Sequence, residues 1–334
     1  MKPRLLLLTW PDYLSPDGKA EFEAEFELAL ELEIVASADE LLARMRGPGP
    51  APDLLCPPDY AVRQLQREGL LLTLDKRRLS NLSHLAPEFQ SGRPHDPKSE
   101  VSVIKDWGTT GYMVRTDLIA KPGQSWADFW TLAERHAGRV SVLDSQSEVI
   151  GAALKLRGHS YNADDEPALA EARQDLLRLK STIGYFETGY RPLLESGQVV
   201  LALGWNGDAA SLKAAGLPLA YVIPEEGSQI WEVDWAIAAG AANPEAAHKF
   251  INYQLRPDVA AREAAYTRYA TPNASAFNQL EAHIRTDPAT YPSKAVMARL
   301  EYGMPLTPEG TRQRAALWAE FRGEPSPAGR SSHP

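Results

Sequence analysis

The stretch Pro52-Asp-Leu-Leu-Cys-Pro-Pro-Asp-Tyr60 contains the pattern that decides the fold. Its apolar residues at 54–56 predict a short buried strand, which the two prolines that follow bring to an end. Asp59 can then cap a helix whose inner face carries Val62 and Leu65. A strand, a short loop and a helix in immediate succession are typical of a βαβ unit.

The same succession continues in both directions along the chain. Before this stretch, residues 5–9 predict a strand, Ser15 and Pro16 open a helix, and residues 30–34 predict an alternating strand. After it, strands are predicted at 140–143 and 199–203, and helices begin at Ser125, Ser147, Asp165, Asp208 and Asn243. Such alternation predicts an α/β protein with mainly parallel sheets, whose ligands bind at the carboxyl ends of strands.

The composition excludes several classes of protein. The chain has 334 residues, 44% of them hydrophobic and 24% charged, as in a globular protein large enough for two domains. Its 44 aspartates and glutamates outnumber 35 lysines and arginines, and no basic stripe is longer than Lys76–Arg78, so we expect no nucleic-acid partner. The leucines at 5–8 are fewer than an export signal needs, and no apolar run approaches the ~20 residues of a membrane span.

Sequence motifs of common enzymes and metal sites are absent. The chain has no phosphate-binding loop, no dinucleotide fingerprint, no Gly-x-Ser-x-Gly turn and no His-Glu-x-x-His. The spacing of its seven histidines puts no two on one helical face, so we expect neither a metal nor a cofactor. Cys56, the single cysteine, is interpreted as a small buried residue, with a nucleophile as the alternative.

Aromatic residues and carboxylates recur together near predicted strand ends. The groups are Trp10 with Asp12 and Tyr13, Asp59 with Tyr60, Trp205 with Asp208, and Trp231 with Glu232 and Asp234. An alkylammonium ion that leaves water needs a carboxylate, and its methylenes pack on aromatic rings. These loops therefore favour an organic cation, although each residue taken singly also fits a core or helix-capping role.

Seven segments that include these loops resemble one known family. They are residues 9–13 (TWPDY), 53–60, 72–82, 125–130, 204–208 (GWNGD), 251–259 and 269–273 (YATPN). In order and spacing, from about residue 5 to about residue 320, they are similar to the spermidine/putrescine-binding receptors of bacterial ABC importers. The resemblance implies a receptor and not an enzyme: it captures a polyamine and delivers it to a membrane permease.

The resemblance also implies an architecture and a location. The fold is the class II periplasmic-binding-protein fold, with two α/β lobes, a hinge and a ligand cleft between them. Lobe one is expected at 1–109 plus 236–288, lobe two at 110–235 plus 289–322, and residues 323–334 form a disordered tail. We expect a monomer in the periplasm or at the cell surface, although the sequence contains no export signal.

Binding residues are carried over by position from the resembling motifs. They are Trp10, Asp12, Tyr13, Asp59, Tyr60, Ser145, Glu148, Trp205, Asp208, Trp231, Asp234 and Tyr269. Asp12, Glu148 and Asp208 are expected to oppose ammonium groups, while the tryptophans stack on the carbon chain.

Three positions differ from the family motifs, so ligands other than a polyamine remain as alternatives. Pro58 replaces a frequent serine, Ser145 stands where some members have aspartate, and Val233 replaces the acid of a Trp-x-Asp motif. Strand alternation puts Val233 on the face of Trp231 and turns Asp234 away, unless a bulge intervenes.

The ligand is thus a putrescine-like diamine or another small cation: a monoamine, a quaternary amine or an amino-acid derivative. A thiamin-related enzyme on the same fold, using Cys56, is the third alternative.

Overall fold

Short apolar runs and capped helices alternate along the chain. In the computed structural model, which describes residues 2–323, the strands are β1 (Arg4–Thr9), β2 (Ala29–Ile34), β3 (Leu54–Leu55), β4 (Ser102–Arg115), β5 (Val140–Val142), β6 (Ile183–Phe186), β7 (Leu201–Trp205), β8 (Leu219–Val222), β9 (Gln229–Ile237) and β10 (Glu301–Tyr302). The helices are α1 (Pro16–Glu25), α2 (Ala38–Arg46), α3 (Asp59–Arg67), α4 (Pro87–Gln90), α5 (Trp126–Arg135), α6 (Gln146–Leu156), α7 (Glu166–Lys180), α8 (Arg191–Ser196), α9 (Asn206–Ala214), α10 (Pro244–Gln254), α11 (Pro257–Thr267), α12 (Ala274–Phe277), α13 (Ala282–Arg285), α14 (Lys294–Met297) and α15 (Pro308–Arg322). Short 3₁₀ helices cover Lys76–Arg78 and Ser80–His84. The predicted α/β class is confirmed.

The chain divides into two compact units. Unit 1 is the segment that ends at Gly108 together with Trp231–Asp287, and unit 2 is Thr109–Ile230 together with the segment that begins at Pro288. The first division lies one residue from the predicted boundary after residue 109, and the second lies five residues before the predicted boundary after residue 235. Of the predicted tail, Gly323 follows α15, and residues 324–334 lie outside the described part of the chain.

Unit 1 is built on a sheet in the order β2-β1-β3-β9. Strand β1 pairs in parallel with β2 and with β3, and β3 pairs antiparallel with β9. The carboxyl end of β1 leads into the loop that carries Trp10, Asp12 and Tyr13, as expected for the ligand loops of an α/β sheet.

Unit 2 is built on a sheet in the order β4-β7-β5-β6. Strand β5 pairs in parallel with β6 and β7, whereas β4 pairs antiparallel with β7 and β8. Helix α6 begins after β5 and helix α9 follows β7 directly, so Glu148 and Asp208 both lie in first helical turns at strand ends.

Parallel pairing joins β1 with β2 and β3, and β5 with β6 and β7, as predicted, but the long strands β4 and β9 also form antiparallel pairs. Each sheet mixes parallel pairs with antiparallel ones, and the antiparallel pairs involve β9 in unit 1 and β4 in unit 2. These two long strands contain the points at which the chain passes from one unit to the other. An antiparallel partner needs no crossover helix, so the alternation of strand and helix breaks at these strands.

Helix capping explains why the helices begin where they do. The Ser15 side chain accepts the N–H of Gly18, and Ser125 with Asp128 forms a complete capping box at α5. The predicted caps Asp59, Ser147 and Asp208 are wrong by a few residues, because α3, α6 and α9 begin with Pro58, Ser145 and Trp205 in the capping position. Pro58 provides the extended backbone that precedes a first helical residue.

Aromatic side chains pack together within the largely aliphatic cores of both units. In unit 1, Phe22 of α1 is fully buried and its ring packs against Phe250 and Tyr253 of α10, at centroid distances of 5.0 and 5.4 Å. In unit 2, Trp126 and Phe129 of α5 pack at 5.9 Å in the largest apolar cluster. No helix in the described range 2–323 has both the length and the apolar content needed to cross a membrane.

Phe22→Ala should lower the free energy of unfolding by about 3–5 kcal/mol, because it removes a fully buried ring from a close-packed aromatic group. Urea unfolding followed by tryptophan fluorescence measures the change. The matched control is Tyr266→Ala on the exposed side of α11, which should stay within about 0.5 kcal/mol of the parent chain. Equal losses in the two variants would contradict the assignment of Phe22 to the core.

Candidate functional site

A buried carboxylate stands in the first turn of α6 in unit 2. Glu148 is 7% exposed, and its Oε1 accepts the hydroxyl of Thr110 at 2.9 Å and the indole N–H of Trp205. Both donors are neutral, and no cation of the described residues lies within 4.0 Å of this carboxylate. These two contacts go to Oε1, and a carboxylate has further acceptor capacity for an N–H group of a ligand.

A second carboxylate of unit 2 is held in a similar way. Asp208, in the first turn of α9, accepts the Tyr190 hydroxyl at Oδ2 over 2.7 Å. The same hydroxyl accepts the backbone N–H of Trp205 at 3.1 Å. The cation that approaches Asp208 is Arg191, whose guanidinium lies 4.0 Å away and is 44% exposed to solvent. Trp205 therefore has hydrogen bonds leading toward both predicted carboxylates.

Burial opposes the ionised form of both groups. Desolvation raises the pKa of Glu148, and hydrogen bonds from Trp205, Ser145 and Thr110 limit the rise. Burial also raises the pKa of Asp208, with the Tyr190 hydroxyl and Arg191 acting in the opposite direction. Ser145 thus contributes to the site as a neutral donor at the start of α6, next to the predicted acid. A ligand cation would favour the charged form of both carboxylates.

Unit 1 brings three of the predicted aromatic residues together. The rings of Trp231 and Tyr269 meet edge to face with centroids 5.0 Å apart, and Tyr13 lies 6.2 Å from Tyr269. Trp231 is half-buried at the first residues of β9, and its indole N–H is buried without a hydrogen-bond partner in the described structure. This aromatic group offers apolar ring surface together with one unused donor.

One of these rings already holds an internal cation. The Lys105 ammonium lies 3.7 Å from the centroid of the Tyr13 ring and 2.6 Å from Asp106, and the Tyr13 hydroxyl donates to Asp106. Lys105 and Asp106 are almost fully buried. Burial and the neighbouring Asp106 raise the pKa of the Tyr13 hydroxyl well above its usual value. Tyr13 is therefore engaged within unit 1 on one ring face and at its hydroxyl.

The remaining predicted residues of the first two loops are more exposed. Trp10 is half-buried and donates its indole N–H to the carbonyl of Cys56 at 3.0 Å. Asp12 is exposed and has a left-handed backbone with φ of 52°. Tyr60 is 48% exposed on α3. The structure places these side chains at the surface end of β1 and β3.

Asp234 is turned away from Trp231, as strand alternation predicts, and its internal pairing argues against the ligand role also expected of it. The carboxylate is fully buried, 2.7 Å from the Arg93 guanidinium and 2.8 Å from His95. Glu232 also contacts Arg93, at 3.2 Å, which places the two acids on one side of β9. Regular strand pleating thus turns Asp234 away from Trp231, and Arg93 compensates the charge.

The cluster around Arg93 explains two further groups. Asp59 is also buried, its Oδ1 accepts the N–H of Tyr60 at 2.6 Å, and burial raises its pKa to about 7. His95, Glu232 and Asp234 lie close enough together for three metal ligands, but the Arg93 guanidinium bonds to both of these acids. The arrangement is that of a buried ion-pair network, so Asp59 and Asp234 have structural contacts inside unit 1.

Cys56 lacks the surroundings of a catalytic thiol. It is fully buried at the end of β3, and the Thr9 hydroxyl donates to its sulfur at 3.4 Å. Burial raises the pKa of the thiol to about 12. A nucleophilic cysteine requires the thiolate, which this environment disfavours.

Several residues of these sites were not found from the sequence. Tyr190, Thr110 and Lys105 contact predicted site residues but carry no local motif, because those partners are 15 or more residues distant along the chain. Arg93 is 141 residues from Asp234. The one signal in the sequence was an acid at position 234 within an apolar strand, since a buried acid requires a cation from elsewhere in the chain.

Comparison with known proteins identifies the family. Residues 19–292 match the bacterial extracellular solute-binding proteins. This chain belongs to that family. The predicted family and its two-lobed periplasmic-binding fold are confirmed by this match and by the relatives that follow.

The relatives of this solute-binding protein are named for polyamines. It is 32% identical over 302 residues to the spermidine/putrescine-binding periplasmic protein of Salmonella typhimurium, covering 89% of this chain and 86% of the relative. It is 31% identical to the putrescine/cadaverine-binding protein of Pseudomonas aeruginosa, covering 96% and 93%. The structure of the spermidine/putrescine ABC transporter substrate-binding protein PotD of Streptococcus pneumoniae matches with a TM-score of 0.86 and 26% identity, over 96% of this chain and 99% of that one.

Glu148→Gln should make the ligand-free solute-binding protein melt at a higher temperature at pH 8 but not at pH 4. Because the pKa of Glu148 is raised in the folded state, the unfolded chain loses this proton first, and stability falls as pH rises from the ordinary glutamate pKa through the raised one. Glutamine removes that loss and keeps an oxygen for Thr110 and Trp205. Calorimetric melts at both pH values test this, with exposed Glu195→Gln as the control. Identical melts of Glu148→Gln and the parent at pH 8 would count against it.

Arg93→Ala should lower the free energy of unfolding by about 3–5 kcal/mol, because it removes the guanidinium that pairs with the buried acids Glu232 and Asp234. Urea unfolding at pH 7 gives the value. Arg77→Ala, which removes the cation of an exposed pair with Asp75, should change it little. If both variants unfold at the parent's urea concentration, the network does not stabilise unit 1.

Proposed function

We propose that this chain is the solute receptor of an ABC importer and that it binds a small alkylammonium ion, with putrescine-like diamines as the first candidates. The proposal extends to this chain what the names of its relatives say of them: three of those compared above are binding proteins for spermidine, putrescine or cadaverine. We further propose that it acts outside the cytoplasmic membrane as a monomer and delivers its ligand to a membrane permease.

The observation that carries the proposal is the pair of carboxylates in unit 2. Glu148 is buried and the Asp208 side chain is 18% exposed, and their direct hydrogen bonds come from neutral Thr110, Trp205 and Tyr190; the partly exposed Arg191 approaches Asp208 only to 4.0 Å. Neutral donors orient a carboxylate but leave its charge uncompensated. A bound ammonium group would supply the compensating positive charge, and the carboxylates are already held in place to receive its N–H groups.

Three other buried acids differ from Glu148 in being paired with an internal cation, whereas Glu263 and Asp53 also receive neutral donors, from Ser15 and from backbone N–H groups. Asp106 pairs with Lys105, Asp234 with Arg93, and Asp175 with Arg157. In these pairs an internal cation balances the acid, so no ligand is required. Glu148 and Asp208 are distinguished by the Trp205 ring that lies beside both of them, which supports a ligand role for the two acids, whereas the ion pair with Arg93 argues for removing Asp234 from the set of direct contacts. The buried contacts of Asp59 argue for removing it as well.

Aromatic residues complete the proposed binding surface. Trp205 lies beside the two acids of unit 2, and Trp231 with Tyr269 forms the ring pair of unit 1. The proposed contacts are Trp10, Asp12, Tyr60, Ser145, Glu148, Trp205, Asp208, Trp231 and Tyr269. Tyr13 packs against Tyr269 but is not among the proposed ligand contacts, because Asp106 binds its hydroxyl and Lys105 covers one face of its ring. Ring faces favour both methylene groups and ammonium charge.

One observation favours a second candidate ligand. The aromatic group of unit 1 has Val233 on the face of Trp231, while Glu232 and Asp234 are engaged by Arg93. That group thus presents rings and an unused indole N–H rather than a buried acid. A ligand with one ammonium group and an uncharged or hydrogen-bond-accepting end suits this chemistry, as in a monoamine or an amino-acid derivative. An enzymatic role through Cys56 has no support in its buried, protonated state.

Isothermal titration calorimetry with putrescine and butylamine tests the proposal, because the two ligands differ by one ammonium group. If both ammonium groups meet carboxylates, putrescine should bind at micromolar concentration and at least about tenfold more tightly than butylamine. Glu148→Gln and Asp208→Asn should each weaken putrescine by about tenfold or more. Glu195→Gln serves as the exposed control.

The outcomes separate the two candidates. Equal binding of both amines, with Trp205→Ala more damaging than Asp208→Asn, favours a ligand with one ammonium group, and 4-aminobutyrate and choline then identify its class. The absence of heat with putrescine, spermidine, butylamine, choline and 4-aminobutyrate would falsify the organic-cation assignment.

A further inference from the structure

We propose that Tyr190 is a positioning residue for ligand binding, which fixes Asp208 relative to Trp205 through one shared hydroxyl group. The inference deepens the proposed function and rests on it for the identity of the ligand. Tyr190 has no predicted role in the sequence analysis, and it lies directly before α8. Its side chain is fully buried in unit 2.

The chemistry of the two partners sets the direction of the hydrogen bonds that join the Tyr190 hydroxyl to Trp205 and Asp208. The backbone N–H of Trp205, 3.1 Å away, can only donate, and the ionised Asp208, 2.7 Å away, can only accept. The single phenolic proton must therefore point to Asp208. Because the hydroxyl is bonded to the β7 backbone as well, it holds the Asp208 carboxylate at a fixed place relative to that strand.

The same series of hydrogen bonds extends to Glu148. The indole N–H of the same Trp205 donates to Glu148, so Tyr190, Trp205 and Thr110 define the positions of both carboxylates. Each contact in the series is made by a neutral group. The series can therefore orient two negative charges without cancelling either of them.

Packing leaves Tyr190 little freedom to move. Its ring lies 6.5 Å from the Trp205 ring, and its hydroxyl sits over Gly204 of β7. A side chain at 204 would overlap the Tyr190 hydroxyl and Met113, so glycine is needed for this close approach. A tightly packed phenol is a more precise donor than water, which would otherwise solvate Asp208.

The charged and titratable groups around Asp208 predict how Tyr190 acts. Arg191 lies 4.0 Å away, and the Tyr221 hydroxyl, which donates to Thr109, responds to the charges of both Asp208 and Glu148. Tyr190 is the group that bonds directly to the carboxylate, and it holds down the pKa that burial raises. Removing its hydroxyl should therefore raise the Asp208 pKa further, so that cation binding is lost at a higher pH on acidification.

The experiment compares Tyr190→Phe with Tyr161→Phe, a variant that loses a different buried tyrosine hydrogen bond in unit 2, to Gln229. Carbon-13 NMR titration of the aspartate carboxyls in ligand-free protein, with the Asp208 signal assigned by its loss in Asp208→Asn, gives the pKa. Calorimetry with putrescine from pH 5 to pH 8 gives the binding profile. Tyr190→Phe should raise the Asp208 pKa, move the acid limb of binding upward and weaken putrescine by about threefold to tenfold at pH 8, whereas Tyr161→Phe should change none of these.

A double-mutant cycle with Asp208→Asn then distinguishes positioning from general packing. If Tyr190 acts through Asp208, Tyr190→Phe should add almost nothing in the Asp208→Asn background. Additive losses, or an Asp208 pKa that is unchanged in Tyr190→Phe, overturn the inference. Should the parent chain bind no amine at all, the proposed function fails, and the NMR titration alone still decides whether Tyr190 controls Asp208.

Discussion

The free energy cost of burying a carboxylate is the constraint that determines how both units are built around their acids. An ionised acid away from water must find a cation or strong hydrogen-bond donors, or else give up its charge. Unit 1 satisfies Asp234 and Asp106 with Arg93 and Lys105 from its own chain. In unit 2 the hydrogen bonds to Glu148 and Asp208 come from neutral donors, and Arg191 lies no nearer than 4.0 Å to Asp208, so these two acids keep charge that a ligand cation can compensate.

This difference gives each unit a distinct role in the proposed receptor. Internal ion pairs make the Arg93 cluster a support for β9, from which Trp231 projects on the opposite side. In unit 2 the donors hold the carboxylates in place before any ligand arrives, which reduces the ordering that binding must otherwise bring about. The same arrangement lowers the stability of the ligand-free protein, because buried negative charge without a cation is unfavourable.

Sequence reasoning predicted the local features well and the distant contacts poorly. The caps at Ser15 and Ser125, the acids at first helical turns and the orientation of Asp234 all follow from short-range rules of helix and strand geometry. The antiparallel pairs of β4 and β9 are exceptions to the predicted parallel pairing, and these strands pair without a crossover helix. Tyr190 and Arg93 could not be predicted, because each meets its partner only through tertiary packing.

The left-handed backbone of Asp12 has a consequence for anyone who tests the first loop by mutagenesis. At φ of 52°, alanine would bring conformational strain as well as charge removal, so a weakened variant would have two explanations. Asparagine tolerates the same dihedral angles and differs from aspartate mainly in ionisation. The amide substitution is thus the clean electrostatic probe at this position, and an alanine scan would misreport its importance.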